Sequence, residues 1–465
     1  SGSSNVGVGF AALEANTTAN NNTAVGFTAL LSNTTGRQNT AIGSGTLDAN
    51  TTGENNTAVG MHALTANTTA DENTAVGAYA LADNTTGARN TAVGLYSLIA
   101  NTTGNNNTGV GRSALQANTT GYDNVAVGRS SLDANTTGYA NISIGESSLT
   151  SNTTGYRNTA VGQNSMAACT TGLENTAVGQ NSLNDLTTAN YNVAVGQNAL
   201  ASCTTGAGNV GIGINALDAV TTQGGNTVIG YNAASALVTT GVTAIGYQAM
   251  VNSTTGYDTV AIGQSALTSC TTGNENVAVG FNALYSLTTG TDNVAVGNGA
   301  LDSATTPSDN TAIGRSAGGA ITVGGGNTLV GSGCGGALNG SNGKWNTALG
   351  WNALSSATGH FQNVAIGQGC LGSNVNHGNT GVGARCLEDN TGGNSLVGIG
   401  YFTLSKNTTG DSNTGVGQEA GNQITTGSNN VCIGYKAGND ALAGITTASN
   451  QIILGNNSST NFECK

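Results

Sequence analysis

The sequence predicts an all-β fold, a parallel β-solenoid or β-roll, from three observations. The phrase NTAVGxxALxxNTTGxx recurs every 17 residues, and its opening Asn advances from Asn5 to Asn226 without an insertion. The apolar residues keep a fixed phase within that period, as stacked structural units require. Each phrase contains one short Val- and Thr-rich segment bounded by Asn and Gly, which is typical of a strand. Extending the count to the end of the chain gives about 26–27 coils.

The strand segment NTAVG has two different faces. Alternation places Thr40 and Ile42 on one face, and Asn39, Ala41 and Gly43 on the other. Neither face carries charge, which is typical of a strand buried on both sides. We expect the Thr/Ile face to fill the interior of the coil. The Asn/Ala/Gly face would then accept another backbone at close range, which predicts that copies of the chain associate.

The remainder of each coil contains the segments xxALxx and NTTGxx. The residue types of xxALxx favour a helical turn, whereas the ~4.8 Å spacing of stacked coils leaves little room for one and favours a short strand or tight turn. The Gly of NTTG, as in Gly36 and Gly53, indicates a second turn. Stacking in register places like residues on like, so we predict two ladders of side-chain amides. They comprise the opening residues Asn22, Asn39 and Asn56, and the NTT residues Asn33, Asn50 and Asn67.

The regularity of the repeat divides the chain into three regions. Residues 1–326 form the regular solenoid, 327–395 form irregular Gly-rich coils of the same solenoid, and 396–465 form C-terminal coils and a terminal strand segment. Irregular loops on a regular scaffold are where recognition concentrates, so we expect protrusions in the middle region.

Composition excludes several classes of function. A net charge of −12 with only 7% charged residues provides no basic surface for nucleic acid or for anionic lipid. No apolar run approaches the ~20 residues of a membrane helix, so we expect no membrane insertion. No signal peptide is visible, and we expect a mature product or a piece of a longer polypeptide. The cysteines follow the period as buried thiols, and Cys370 and Cys386, one coil apart, lie within bridging distance.

The repeat resembles a known group of proteins. The NTAVGxxALxxNTTG coils, clearest at residues 22–162, resemble repeats in bacteriophage tail fibres and in adhesive fibres of some bacterial surfaces. They are also similar to the β-roll heads of trimeric autotransporter adhesins, whose shorter repeat has an AIGxxSxA core like that of residues 41–47. The end, NQIILGNNSSTNFECK, is similar to the strand that precedes the intramolecular chaperone of many phage fibres, although no chaperone domain is present in these 465 residues. The resemblance implies a homotrimeric extracellular fibre.

A set of aromatic residues is the principal candidate binding site. Tyrosines occupy one loop phase in three successive coils, and the same phase recurs once later: Tyr122, Tyr139, Tyr156 and Tyr257. Stacked rings on a rigid edge could hold a cell-surface glycan, or they could stack only on each other. No catalytic, metal or cofactor motif is evident, and Glu146 with Asp133, in adjacent coils, is the carboxylate pair that an enzyme would have to use.

These observations predict a non-enzymatic component of an extracellular fibre, either a virion tail fibre or a cell-surface appendage. Its partner is the chain itself, as a homotrimer, and a surface glycan is a possible ligand. The alternative is a bacterial or environmental surface filament that polymerises end to end through its coils. A lesser alternative is an ice-binding solenoid, for which the adjacent residues Thr34 and Thr35 supply the threonines.

Overall fold

The structure is a computed structural model that describes residues 2–358, 360–439 and 445–459. These residues form an all-β parallel solenoid of about 26 turns with a repeat of about 17 residues. The chain divides into two compact units, Ser1–Ile229 and Gly230–Lys465. Within the described ranges there is no helix.

Every strand is three residues long and pairs in parallel with the strand one coil away. In β3 and β4, Thr40 pairs with Thr57 and Ala41 with Ala58, which is a register of 17 residues. The strands of the first unit are β1 (Val6–Val8), β2 (Thr23–Val25), β3 (Thr40–Ile42), β4 (Thr57–Val59), β5 (Thr74–Val76), β6 (Thr91–Val93), β7 (Thr108–Val110), β8 (Val125–Val127), β9 (Ile142–Ile144), β10 (Thr159–Val161), β11 (Thr176–Val178), β12 (Val193–Val195), β13 (Val210–Ile212) and β14 (Thr227–Ile229).

The second unit repeats the arrangement through residues 327–395, whose coils contribute strands like the others. Its strands are β15 (Thr243–Ile245), β16 (Val260–Ile262), β17 (Val277–Val279), β18 (Val294–Val296), β19 (Thr311–Ile313), β20 (Thr328–Val330), β21 (Thr347–Leu349), β22 (Val364–Ile366), β23 (Thr380–Val382), β24 (Val397–Ile399), β25 (Thr414–Val416), β26 (Val431–Ile433) and β27 (Ile452–Leu454). The division of the chain at 326 and 395 stays a prediction. The last residues of the C-terminal segment, 460–465, lie outside the described residues.

The xxALxx segment is a turn, the second of the two structures left open by its sequence. In the second coil Thr28 and Leu30 both have left-handed backbones, with φ of 54° and 52°. A left-handed conformation costs a non-glycine residue on the order of 1–2 kcal/mol. The coil recovers this cost because the turn directs Leu30 into the interior, where its side chain is fully buried. Its amide also donates to the carbonyl of Thr46 in the next coil at 3.1 Å.

The two faces of the strand are reversed relative to the expectation from sequence. Ala41 is fully buried, whereas Ile42 is 41% exposed and Thr40 is half-buried. The physical reason is the width of the coil, because Leu47 and Asn50 already occupy the interior that faces the strand. Only a small side chain fits beside them. The Thr/Val/Ile face therefore points outward, and the Asn/Ala face lines the core.

The glycine that ends each strand forms a column of close backbone contacts. Gly94 has φ of +134°, and a Cβ on it would lie 2.5 Å from the carbonyl oxygen of Gly111. No side chain fits between coils at this separation. This column therefore sets the spacing at which the coils stack.

The glycine column gives the first prediction. Gly94→Ala should lower the local free energy of opening by about 2–4 kcal/mol, because the methyl group overpacks a backbone contact and the backbone is strained for alanine. Native-state hydrogen exchange of residues 91–114 measures this locally, which a global unfolding curve of a repeat protein does not. Gly208→Asn is the control, since its φ is +69° and no heavy atom lies within 4 Å of a Cβ there. Equal effects of the two substitutions would contradict the prediction.

Candidate functional site

The opening Asn of each coil joins neighbouring coils through both ends of its amide. The Oδ1 atom of Asn39 accepts a hydrogen bond from the backbone N–H of Asn56 at 2.9 Å. Its Nδ2 donates to the carbonyl oxygen of Gly53 at 2.8 Å. Asn39 is fully buried, so these bonds satisfy polar groups that water does not reach.

The Asn of the NTT triplet forms the second column. Asn50 Nδ2 donates to Asn33 Oδ1 at 2.8 Å, and Asn67 Nδ2 donates to Asn50 Oδ1 at 2.9 Å. Asn50 Nδ2 also donates to the Gly53 carbonyl at 3.1 Å. That carbonyl is the acceptor already used by Asn39, so both columns converge on one backbone oxygen. Sequence reasoning found the two columns but not their shared acceptor.

The NTT column changes chemistry part-way along the first unit. It ends at Asn152, whose Oδ1 is buried without a hydrogen-bond partner among the described residues. Cys169 and Leu186 occupy the next two coils at this position, and both are fully buried. The interior therefore accepts either an amide or an apolar side chain here, but a boundary between them leaves one amide oxygen unpaired.

The ladder gives the second prediction. Asn84→Leu should destabilise its coil by about 2–4 kcal/mol, since it removes the donor to two buried acceptors. These are Asn67 Oδ1 at 3.0 Å and the Gly87 carbonyl at 2.9 Å. The matched control is Cys169→Leu, which places the same side chain in the same column beside Leu186 and should cost less than about 1.5 kcal/mol. Hydrogen exchange in the two coils measures both, and equal costs would show that the ladder contributes nothing specific.

The cysteines are buried free thiols. All seven described cysteines are unpaired, including Cys370 and Cys386, and Cys464 lies outside the described residues. Burial raises the pKa of Cys169 from its ordinary value of 9.0 to about 12, and that of Cys334 likewise to about 12. A hydrogen bond with Cys370, together with burial, raises the pKa of Cys386.

These pKa shifts predict alkaline destabilisation. Above pH 9 the thiols ionise in the unfolded chain while the folded chain keeps them protonated, so stability falls as the pH rises from about 9 towards 12. Replacing Cys169 and Cys334 by Ala should flatten this dependence, whatever its effect at neutral pH. Melting temperatures of parent and variant between pH 7 and about 10.5 test it, and parallel curves would contradict it.

The tyrosines predicted as a binding site stack on each other. The Tyr122 and Tyr139 rings lie 4.9 Å apart and those of Tyr139 and Tyr156 lie 4.7 Å apart, each pair 5° from parallel. The Arg157 guanidinium lies 5.7 Å from the centre of the Tyr156 ring. Both faces of Tyr139 are thus occupied by neighbouring rings. Tyr257 belongs to the second unit and is 41% exposed. Glycan binding at these residues stays a prediction.

The carboxylates and threonines singled out in the sequence have protein partners. Glu146 forms an ion pair with Arg129, and Asp133 accepts a hydrogen bond from the Thr150 hydroxyl at 2.7 Å. The Thr34 hydroxyl donates to the carbonyl of Thr51 at 3.0 Å. In residues 2–358, 360–439 and 445–459, no group of three or more His, Cys, Asp or Glu side chains is arranged to hold a metal ion.

The outward strand face is the most extended surface feature of both units. Its third strand position holds Val, Ile or Leu in every coil, and the side chain is substantially exposed, as in Ile42 at 41%, Val93 at 36% and Ile399 at 43%. The first strand position holds Thr, Val or Ile. No charged residue stands at either position in the described strands. The sequence contained this signal, because Leu, Ala and Asn together already fill the narrow interior.

No protein-family model matches this sequence, and no curated protein sequence matches it either. None of the described elements is a helix of sufficient length and apolarity to cross a membrane. Inference about function therefore rests on the geometry of the coils and their surfaces.

Proposed function

We propose that the chain is the shaft of an extracellular fibre, on a virion or a cell surface, in which three copies pack through their outward strand faces. The observation that carries this is the exposed column of Val and Ile along each unit. The column beyond the strand-ending glycine is equally exposed yet variable, with Phe27, Arg129 and Trp351 among its members. An exposed column that is apolar in every coil is typical of a surface that contacts another protein.

The energy available to this face is sufficient for association. Burial of a Val or Ile side chain contributes ~1.5–3 kcal/mol, so covering the remaining two-fifths yields roughly 0.5–1 kcal/mol per coil. The first unit has fourteen strands, and their sum is comparable with the ~4–15 kcal/mol that association costs. The column of Thr and Val beside it extends the contact. Three copies facing one axis, as the resemblance implies, would cover both columns.

The assembly prediction is tested by placing charge on the face. Val76→Glu with Val93→Glu should weaken association at least about 100-fold, because each copy would bring two unpaired carboxylates into an apolar contact. Thr86→Glu with Thr103→Glu is the matched control, with the same added charge in the same coils on exposed loop positions. Sedimentation over a dilution series measures mass. The parent should sediment at three times the 45.5 kDa chain mass, and a single-chain mass at every concentration would overturn the proposal.

Ice binding is the second candidate, because the same face is uncharged and repeats Thr beside Val at each coil. It predicts thermal hysteresis by the parent as a single chain, lost in the Val76→Glu/Val93→Glu variant and kept in the loop control. Thermal hysteresis together with a single-chain mass would favour this candidate over the fibre. An end-to-end filament would instead show a mass that grows without limit as concentration rises.

A further inference from the structure

A groove crosses the turn face of the second unit, where one coil lacks two side chains that its neighbours carry. We call it the Gly369 groove. Its floor is Gly369 and Gly372 of the coil that follows β22, and its volume is about 350 Å³. The equivalent positions hold Asn352 and Ser355 in the coil before and Arg385 and Glu388 in the coil after. The backbones of these two walls are two coils apart, so they lie roughly 10 Å from each other.

The backbone does not require glycine at this position. Gly369 has φ of +61°, and Asn352 and Arg385 adopt φ of 54° at the equivalent positions. A Cβ on Gly369 would meet nothing closer than the Arg385 Cγ, at 3.9 Å. By contrast, a Cβ on Gly45, at the same turn position in the first unit, would lie 2.6 Å from the His62 ring. The side chain of the next coil covers Gly45 but leaves Gly369 open.

The groove stays open because Arg385 is held at its rim. Its Nε donates to both carboxylate oxygens of Glu388, at 2.9 and 2.8 Å. Its guanidinium lies over the Phe402 ring, 4.6 Å from the ring centre. Both hydrogen bonds to Glu388 start from Nε, and no described residue accepts from the two terminal nitrogens. These nitrogens are donors fixed in place before a ligand arrives.

The lining combines one large aromatic ring with several polar groups. Trp351 stands at the rim and is 57% exposed. Amides and hydroxyls supply both donors and acceptors, and the remaining lining residues apart from the Arg385–Glu388 pair carry no charge. The charges of that pair cancel, so the groove has no preference for an anion or a cation. A ligand suited to it has an apolar C–H face for the indole and several hydroxyl groups along its edge.

We propose that the Gly369 groove binds a neutral saccharide. The C–H face of a pyranose ring would pack on Trp351, and its hydroxyls would exchange hydrogen bonds with Asn352, Gln368 and the terminal nitrogens of Arg385. The volume lies at the lower end of the range for ligand sites, ~300–1,000 Å³, and suits one or two sugar rings. The groove lies within a single chain, so its binding does not rest on the trimer proposed above.

The test fills the groove with the side chain that the neighbouring coil already carries. The probes are the methyl glycosides of glucose, galactose and mannose, together with N-acetylglucosamine and lactose, titrated against tryptophan fluorescence. Trp345 is exposed outside the groove, so a Trp345→Phe background leaves Trp351 as the only indole. We expect at least one probe to bind with a Kd of about 1 mM or tighter. Gly369→Asn should weaken that binding at least tenfold.

Two further variants keep the test decisive. Gly372→Ser restores the other missing side chain and should also weaken binding, so the result does not depend on one variant folding. Gly299→Asn is the matched control, since it makes the same substitution at the same turn position of another coil, with φ of +64° and no heavy atom closer than 3.7 Å to a Cβ. It should bind like the parent. The proposal fails if no probe binds with a Kd of about 10 mM or tighter, or if the filled and control variants bind alike. Sedimentation of the same samples reports the assembly separately.

Discussion

The rest of the structure depends on the hydrogen bonds of the buried asparagine amides between coils. Each coil is only three strand residues and two turns, and its interior is too narrow for a conventional apolar core. Asn39 and Asn50 both donate to the carbonyl of Gly53, and each bonds to the like residue of a neighbouring coil. A shift of one residue would unpair every one of these groups, so the ladder fixes the parallel register that the short strands alone specify weakly. The turns with left-handed Leu persist because this register over-determines them.

The change of the NTT column from Asn to apolar residues shows what the interior requires. From Asn33 to Asn152 the column is polar, and from Cys169 to Leu186 it is not, yet the strands continue with the same register. The opening column continues through this change, since Asn175 still accepts from the backbone of Asn192 at 3.0 Å. The opening amide is therefore the part of the coil needed for stacking. The NTT position has to fill volume, and an amide does so only where its neighbours are amides as well.

Much of the fold was predictable because the period itself is a physical statement about stacking. The parallel solenoid, the turn at xxALxx as one of two alternatives, and the two Asn columns all follow from residues that recur at fixed phase. The orientation of the strand was not predictable from alternation, since both faces are uncharged and the conformation of the buried Leu residues, left-handed as at Leu47, leaves no trace in the sequence. The stacking of Tyr122 on Tyr139 was one of two stated alternatives. The Gly369 groove was not found, because in the sequence its glycines look like ordinary turn residues.

The reversal of the strand faces changes which surface has to be explained. With Ala41 inside, the requirement for small residues belongs to the core of one chain and says nothing about partners. The external column is the informative one, because solvent alone would tolerate polar residues there, and none occurs at the third strand position. Threonine appears only at the first strand position, and an ice-binding face would gain from it at both. A column restricted to Val, Ile and Leu matches packing against apolar side chains of another copy. Among the candidate uses of this face, packing between copies is the one that accounts for both columns.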